Sequence, residues 1–156
     1  MRILGIDPGT ATTGFGVIDV AGGKLKCVDA GVIITRPEVA MQDRLATIYS
    51  ELTELIEEFK PDAIAIELLY FASNVTTAIS VGQARGVVML VAAQAKLPMA
   101  EYTPLQVKQA VTGYGKADKR QIQEMVKTLL KLNAIPKPDD AADALAIAIT
   151  HSSQAG

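Results

Sequence analysis

The chain has 156 residues, of which 49% are hydrophobic and 21% charged, and its formal net charge is −2. This length and composition suit one domain, residues 1–156, with one core, and exclude an intrinsically disordered chain. Its single cysteine, Cys27, excludes an internal disulfide and a cysteine zinc site and is typical of a reducing cytoplasm. The N-terminus lacks a signal-peptide pattern, and the longest apolar stretch, 87–95, is too short to span a bilayer.

Hydrophobic patterning predicts five strands and five helices. In chain order these are strands at Arg2–Ile6, Gly14–Val20 and Leu25–Ile34, a helix over 40–59, a strand at Ala63–Glu67, a helix over 74–96, a strand at Met99–Tyr102, and helices at Pro104–Val111, Lys119–Leu132 and Asp139–His151. Gly22-Gly23 is typical of a hairpin turn, so the first three strands should be antiparallel. The later strands connect through helices, which predicts an α/β fold with a five-stranded mixed sheet.

Four carboxylates are embedded in apolar sequence, where an unpaired charge would be costly. Asp7 and Glu67 end apolar strands that should be adjacent in the sheet, while Asp140 and Asp143 share one face near the start of the last helix. Carboxylate oxygens are the ligands that Mg²⁺ or Mn²⁺ prefers, and four of them suffice for two ions. The alternative for Asp140 is an ordinary helix N-cap.

Charge is distributed unevenly along the chain. Residues 106–137 contain 7 Lys/Arg and 2 Asp/Glu, a net charge of +5, next to the acids of the last helix. This segment could meet phosphates, or it could be a solvated helix face. Lys119 follows a loop of small residues that can approach a phosphate backbone closely, and Lys116 and Arg120 are expected to make electrostatic phosphate contacts. His151 is expected as a cation at the end of the last helix.

Several motifs occur together and in order along nearly the whole chain. They are Gly5-Ile6-Asp7-Pro8-Gly9, Thr13-Gly14-Phe15-Gly16, Ile66-Glu67 with Asn74, Val81-Gly82-Gln83-Ala84-Arg85-Gly86, Pro104 with Gln106-Val107-Lys108, Val111-Thr112-Gly113 with Gly115, and Asp140-Ala141-Ala142-Asp143-Ala144-Leu145-Ala146. With them the chain resembles the RuvC family of Holliday-junction resolvases, which have a ribonuclease-H-like fold. The resemblance implies a bacterial, cytoplasmic crossover junction endodeoxyribonuclease that makes paired hydrolytic nicks in four-way DNA junctions during recombination and repair.

The resemblance also implies roles for individual residues. Asp7, Glu67, Asp140 and Asp143 match the family's metal ligands, and Lys108 and Lys119 match two lysines near the scissile phosphate. Tyr70 stands where the family commonly has a phenylalanine that stacks on bases at the junction centre, and the neighbouring Phe71 could take that role instead. Ordinary packing is the alternative for both aromatic residues.

The predicted helix over 74–96 has no clean polar face, so it should be covered on more than one side. A homodimer would cover the second side, and Gly82 and Gly86 would allow two helices to approach closely. The terminal helices could cover it instead. The family is dimeric, and the resemblance also implies a partnership with a branch-migration motor complex, RuvA–RuvB.

Two other functions compete with the nuclease. An ATPase of the actin and sugar-kinase type also begins with an Asp-x-Gly-Thr turn, but it needs a second such motif and usually more than twice this length. A non-catalytic nucleic-acid-binding factor on the same fold should lack one or more of the four acids, and all four are present.

Overall fold

A computed structural model describes residues 1–68 and 75–154, apart from the side chain of Thr76. The elements are β1 (Arg2–Asp7), β2 (Thr12–Ala21), β3 (Lys24–Ile34), α1 (Met41–Phe59), β4 (Ala63–Glu67), α2 (Val75–Gln94), β5 (Met99–Tyr102), α3 (Pro104–Thr112), α4 (Lys119–Leu129) and α5 (Asp139–Gln154). The five strands form one sheet in the order β3-β2-β1-β4-β5. The β1–β2 and β2–β3 pairs are antiparallel, whereas β1–β4 and β4–β5 are parallel. The predicted mixed α/β sheet is therefore confirmed.

Alternation along the strands divides the core between the two faces of the sheet. On β1, Leu4 and Ile6 pack into one apolar cluster with residues of α1 and α2. Ile3 belongs to the opposite cluster, which contains residues of α3, α4 and α5. The helices thus form a layer on each side of the sheet.

The predicted boundaries agree with the structure within a few residues. Gly22 and Gly23 have φ values of 57° and 76°, as a tight hairpin turn requires. Helix α4 ends at Leu129 rather than Leu132, because Leu130 is its C-cap and Lys131 has a left-handed φ of 54°. Helix α5 continues to Gln154, three residues beyond the predicted end. Among the described residues, no helix has the length and apolar character needed to cross a membrane.

Helix α5 lies unusually close to the sheet because three strand positions are glycine. A Cβ placed on Gly14 would be 2.0 Å from the carbonyl oxygen of Asp140, and one on Gly5 would be 2.2 Å from that of Ala144. A Cβ on Gly16 would meet the Leu145 side chain at 2.7 Å. Real Cβ atoms do not make contacts this short, so side chains on the strands would push α5 away. The glycines therefore set the position of the helix that carries Asp140 and Asp143.

Helix α2 has one buried and one exposed apolar side. Ala84, Val88, Val91 and Ala92 are buried. The opposite side, which we call the α2 stripe, recurs every three or four residues and consists of Val75, Ile79, Gly82, Gly86, Met89, Leu90 and Ala93, all of them exposed. Helix α5 packs on the strands of the other layer, so the alternative that the terminal helix covers this side is wrong.

Candidate active site

Asp7 and Glu67 lie side by side at the edge of the sheet that is formed by the carboxyl ends of β1 and β4. Each is the last residue of its strand, and β1 and β4 are parallel neighbours with Ile6 opposite Ile66. Side chains alternate along a strand, so Asp7 points to the same face as Gly5 and Ile3, where α5 packs. The predicted adjacency of the two strands is confirmed.

Helix α5 brings two more carboxylates to this edge. Carboxylate oxygens of Asp7, Asp140 and Asp143 all lie within 4.8 Å of one another, and we call these three residues the acidic cluster. Asp140 is in the first turn of α5, and Asp143 lies one turn further along the same face. Glu67 is not a member of this 4.8 Å group, but its negative charge acts on Asp7.

The site holds its carboxylates under electrostatic strain. The pKa of Asp7 is raised to about 8, chiefly by burial and further by the negative charges of Asp143, Glu67 and Asp140. Burial is also the main reason why the pKa values of Glu67 and Asp143 are raised. Nearby cations oppose these shifts: Lys108 lowers the pKa of Glu67, and Lys119 lowers that of Asp143. Without further positive charge, the site therefore retains a proton at neutral pH.

The acids open onto a cleft of about 300 Å³ between α5 and the α3–α4 segment. Its lining includes Glu67, Asp143, Lys108 and Lys119, so both lysines that match the family motif face the same cavity as two of the acids. The ammonium nitrogen of Lys119 lies 3.8 Å from Asp143 Oδ2 and 3.4 Å from Asp139 Oδ2. These acids raise the pKa of Lys119, which keeps it charged.

Two capping boxes hold the helices that carry the lysines. Thr103 caps α3: its hydroxyl accepts from the Gln106 N–H, and the Gln106 side chain accepts from the Thr103 N–H. Asp118 and Gln121 make the same reciprocal pair at the start of α4, where Lys119 is the first residue. Local sequence thus fixes the starting points of both helices, and with them the origins of the lysine side chains.

The remaining predicted nucleic-acid contacts differ in how far the structure describes them. Lys116 and Arg120 are exposed on the loop before α4 and on its first turn. Arg120 donates from Nη2 to Glu124 Oε1 at 2.9 Å, one turn along the helix. Tyr70 and Phe71 lie outside the described residues.

Two contacts at the site were not predicted from the sequence. Asp139 is an additional acidic partner of Lys119, and Gln123 donates a hydrogen bond to Asp139 at 3.2 Å. The two successive aspartates at 139 and 140 were the available signal. Successive helix residues point in different directions, so when Asp140 faces the acidic cluster, Asp139 is left to face another partner.

The prediction for His151 as a helix-end cation is wrong. The residue is 9% exposed, burial lowers the pKa of its imidazole, and Nδ1 is 2.6 Å from the Tyr102 hydroxyl. His151 is therefore a neutral core residue.

The chemistry of the donor set fits a hard divalent cation. The acidic cluster offers only carboxylate oxygens, they are partly buried, and the negative charges of Asp143 and Asp140 contribute to the raised pKa of Asp7. Mg²⁺ and Mn²⁺ prefer oxygen ligands, and a positive ion would relieve the repulsion that otherwise keeps a proton in the site. Asp7, Asp140 and Asp143 could hold such an ion, with Glu67 at the margin.

Comparison with known proteins points to one family. The family profile described as Crossover junction endodeoxyribonuclease RuvC matches residues 3–151. A protein of that name from Roseiflexus sp. (strain RS-1) is 58% identical over 151 residues, covering 97% of this chain and 90% of its own. One from Finegoldia magna is 56% identical, with 97% and 92% covered. The structure of T. thermophilus RuvC in complex with Holliday junction substrate superposes with a TM-score of 0.96 at 38% identity, covering 99% of this chain and 94% of that one.

Proposed function

Because this chain belongs to the RuvC family of crossover junction endodeoxyribonucleases, and is thus a Holliday junction resolvase with a ribonuclease-H-like fold, we propose that it cleaves DNA in the cleft between α5 and the α3–α4 segment. The observation that carries this proposal is the convergence of Asp7, Asp140 and Asp143 within 4.8 Å at the edge of a cleft that two lysines line. Phosphodiester hydrolysis needs both features, since negative charge grows on the phosphate oxygens during the reaction.

The four acids Asp7, Glu67, Asp140 and Asp143 act as ligands for divalent ions in this proposal. Two ions, Mg²⁺ or Mn²⁺, would supply an activated water and stabilise the leaving oxygen. The side chains must be ionised to bind, so the proton that Asp7 retains at neutral pH has to leave first. Lys119 favours the ionised form of Asp143, and the positive charge of a bound ion would favour the loss of the proton from Asp7.

The cleft lysines take a different part. Lys119 is held by Asp139 and Asp143 at the first turn of α4, and Lys108 projects into the same cavity from α3. We assign both to the scissile phosphate, where a fixed ammonium group stabilises charge as it develops. Lys116 and Arg120 lie on the exposed side of the same segment and are assigned to affinity for the phosphate backbone.

The α2 stripe supports a homodimer. Its seven exposed residues include Val75 at 76% and Ile79 at 57% exposure, while Gly82 and Gly86 at its centre leave room for a second helix. A two-fold axis through the stripe would present two cleavage sites to a four-way junction, itself nearly two-fold symmetric, and would account for paired nicks. Base stacking by Tyr70 or Phe71, action in the cytoplasm and a partnership with RuvA–RuvB rest on the family resemblance alone.

Single-turnover cleavage of an end-labelled four-way junction, with linear duplex as competitor, tests the assignment of the acids. With Mg²⁺ or Mn²⁺ the parent should cut the junction, and EDTA should stop it. Asp7→Asn should reduce the rate at least 1,000-fold and leave junction affinity equal or tighter, because it removes a ligand and also a charge that repels DNA. Glu51→Gln, on the exposed surface of α1, is the matched control and should cut at the parent rate.

The same assay separates the lysines. At saturating enzyme, Lys119→Ala should slow cleavage about 100-fold, whereas Lys116→Ala should cut normally and bind with a salt dependence flatter by roughly one counterion. Parent-like turnover of Asp7→Asn would refute the metal site, and parent-like turnover of Lys119→Ala would reduce that lysine to a phosphate contact.

A further inference from the structure

The loop between α3 and α4 presents an aromatic ring to solvent. Tyr114 is 50% exposed, and Leu105 nearby on α3 is 54% exposed. A core role would bury the ring, so packing does not explain a tyrosine here. Neither the metal site nor the cleft lysines account for it.

Hydrogen bonds hold the loop backbone independently of the tyrosine side chain. Gly113 ends α3 in a left-handed conformation with φ of 76°. The Thr112 hydroxyl lies 2.6 Å from the Lys108 carbonyl oxygen, and at 3.0 Å it contacts both the N–H and the carbonyl oxygen of Tyr114. The Ala117 N–H donates to the same Tyr114 carbonyl at 3.1 Å. The ring therefore projects from a fixed backbone, which reduces the entropy lost when a ligand packs on it.

The ring forms one wall of a second groove, of about 370 Å³. We call it the Tyr114 groove, and its surface is formed mainly by the carbon atoms of Thr112, Tyr114, Ala117, Arg120, Gln121, Glu124 and Met125. Ala117 also lines the cleft that contains Lys108 and Lys119. The two cavities thus lie on either side of Ala117, at the end of the α3–α4 loop.

Basic side chains lie in the groove and beside it. Arg120 lines it and donates to Glu124, an acid that also lines it, while Lys116 lies on the loop itself and is exposed. Lys119, on the first turn of α4, lies between the groove and the acids. Basic side chains next to an exposed aromatic ring are the combination that binds single-stranded nucleic acid, the cations holding phosphates and the ring a base.

We propose that a nucleotide next to the scissile phosphate leaves the cleft over the α3–α4 loop and stacks its base on Tyr114. This inference rests on the proposed function, since it takes the cleft as the place of cleavage. The groove then serves as a second anchor for the cut strand, outside the acids and lysines that act on the phosphate. Tyr114 is a binding residue here, and it should contribute to affinity and positioning rather than to the chemical step.

The absence of tryptophan from the chain permits a direct test. Tyr114→Trp places a single indole in the groove, and titration with a four-way junction, in EDTA so that no strand is cut, should quench its fluorescence. Tyr49→Trp, on α1 in the opposite helix layer, is the matched control and should not respond. Junction affinity should fall about 10-fold in Tyr114→Ala and remain near the parent in Tyr114→Phe, because phenylalanine keeps the stacking face. Tyr114→Leu should bind like the alanine variant if the contact is stacking rather than general apolar packing.

Two outcomes would overturn the proposal. One is an indole fluorescence in Tyr114→Trp that stays unchanged at saturating junction, and the other is parent affinity in Tyr114→Ala. Thermal melting confirms that each variant is folded, which the exposure of the ring leads us to expect. The parent's metal-dependent cleavage is measured in the same series: if it persists while the Tyr114 variants behave as parent, only the groove is refuted. If the parent does not cut junctions, the proposed function itself fails.

Discussion

Two surfaces of this molecule contain glycines: one is on the sheet and is covered by α5, and the other is on α2 and is exposed. On the sheet, a Cβ at Gly14 or Gly5 would be 2.0 or 2.2 Å from backbone oxygens of α5. On α2, within the described part of the chain, nothing lies within 4 Å of a Cβ placed on Gly82 or Gly86. The first pair lets two elements of the same chain touch, and the second leaves a helix face bare.

The difference separates two reasons for placing glycine inside a regular element, where it costs stability relative to alanine. At Gly14 the cost is offset inside the chain, by α5 packing and by the approach of Asp140 to Asp7. At Gly82 and Gly86 nothing inside the described chain offsets it, and the flanking residues of the α2 stripe are apolar. In the proposed dimer a second subunit would supply the offset, and this is the physical argument for that proposal.

Of the two glycine surfaces, the covered one should respond more strongly to an added side chain. Gly14→Ala forces the Asp140 carbonyl away from β2, so α5 and its two acids must shift. We expect cleavage to fall more than 100-fold and the free energy of unfolding to drop by about 3 kcal/mol. In the single chain Gly86→Ala makes the same chemical change in open space, so at dilutions below the dimer dissociation constant it should leave both values near the parent or raise stability slightly. Single-turnover cleavage and urea denaturation of the pair measure the contrast, and equal effects of the two substitutions would contradict it.

The acidic cluster, which α5 completes by packing on the sheet, predicts how the stability of the metal-free protein depends on pH. In the folded state the pKa of Asp7 is about 8, against an ordinary value of 3.8. An acid whose pKa rises on folding holds a proton that the unfolded chain has lost, so its contribution to stability is complete below pH 3.8 and disappears as the pH rises to 8. In EDTA, the free energy of unfolding should therefore fall with pH by about 1 kcal/mol per unit between pH 6 and 8.

Asp7→Asn removes the group responsible for that slope. Its unfolding free energy should change less with pH than the parent's, and at pH 8 without metal it should be the more stable protein. Mg²⁺ at pH 8 should stabilise the parent and have little effect on the variant, because binding replaces the proton with a cation. Urea titrations at pH 6, 7 and 8 with and without Mg²⁺ measure this. If the parent instead becomes more stable toward pH 8 in EDTA, the pKa of Asp7 is not raised in the folded state.

Much of this architecture could be read from the sequence because its signals are local. The strand at Ala63–Glu67 and the hairpin at Gly22-Gly23 follow from short apolar runs and turn residues, and the structure places them as predicted. The end of α4 could not be read, since Leu130 and Leu132 continue the apolar period although Lys131 turns the backbone to a left-handed φ. A periodic pattern predicts a buried face and does not define where the hydrogen bonds stop.

The site divides in the same way. Strand adjacency and helix spacing predicted that Asp7 meets Asp140 and Asp143, whereas the role of the sheet glycines depends on a long-range contact with α5 that no local pattern encodes. His151 was misread for the same reason. Its place near a helix end is local information, but its burial against Tyr102 is a property of the packed fold.

The smallest effect should come from filling the open surface, and it is confined to association. Gly86→Leu adds a side chain at the centre of the α2 stripe, where two helices would have to separate to accommodate it. Because the position is open in the single chain, the free energy of unfolding at high dilution should be near the parent's or slightly higher, while the dimer dissociation constant rises about 10-fold, equivalent to about 1.4 kcal/mol. Sedimentation over a concentration series measures this, with Glu51→Leu as a control that adds the same side chain to an exposed face of α1.

Since each subunit retains its own acids, Gly86→Leu should still nick junctions, but the two nicks should lose their coupling below the new dissociation constant. A parent that sediments as a monomer at micromolar concentration would remove the reason for the bare helix face, and the glycines of α2 would then be without a physical explanation.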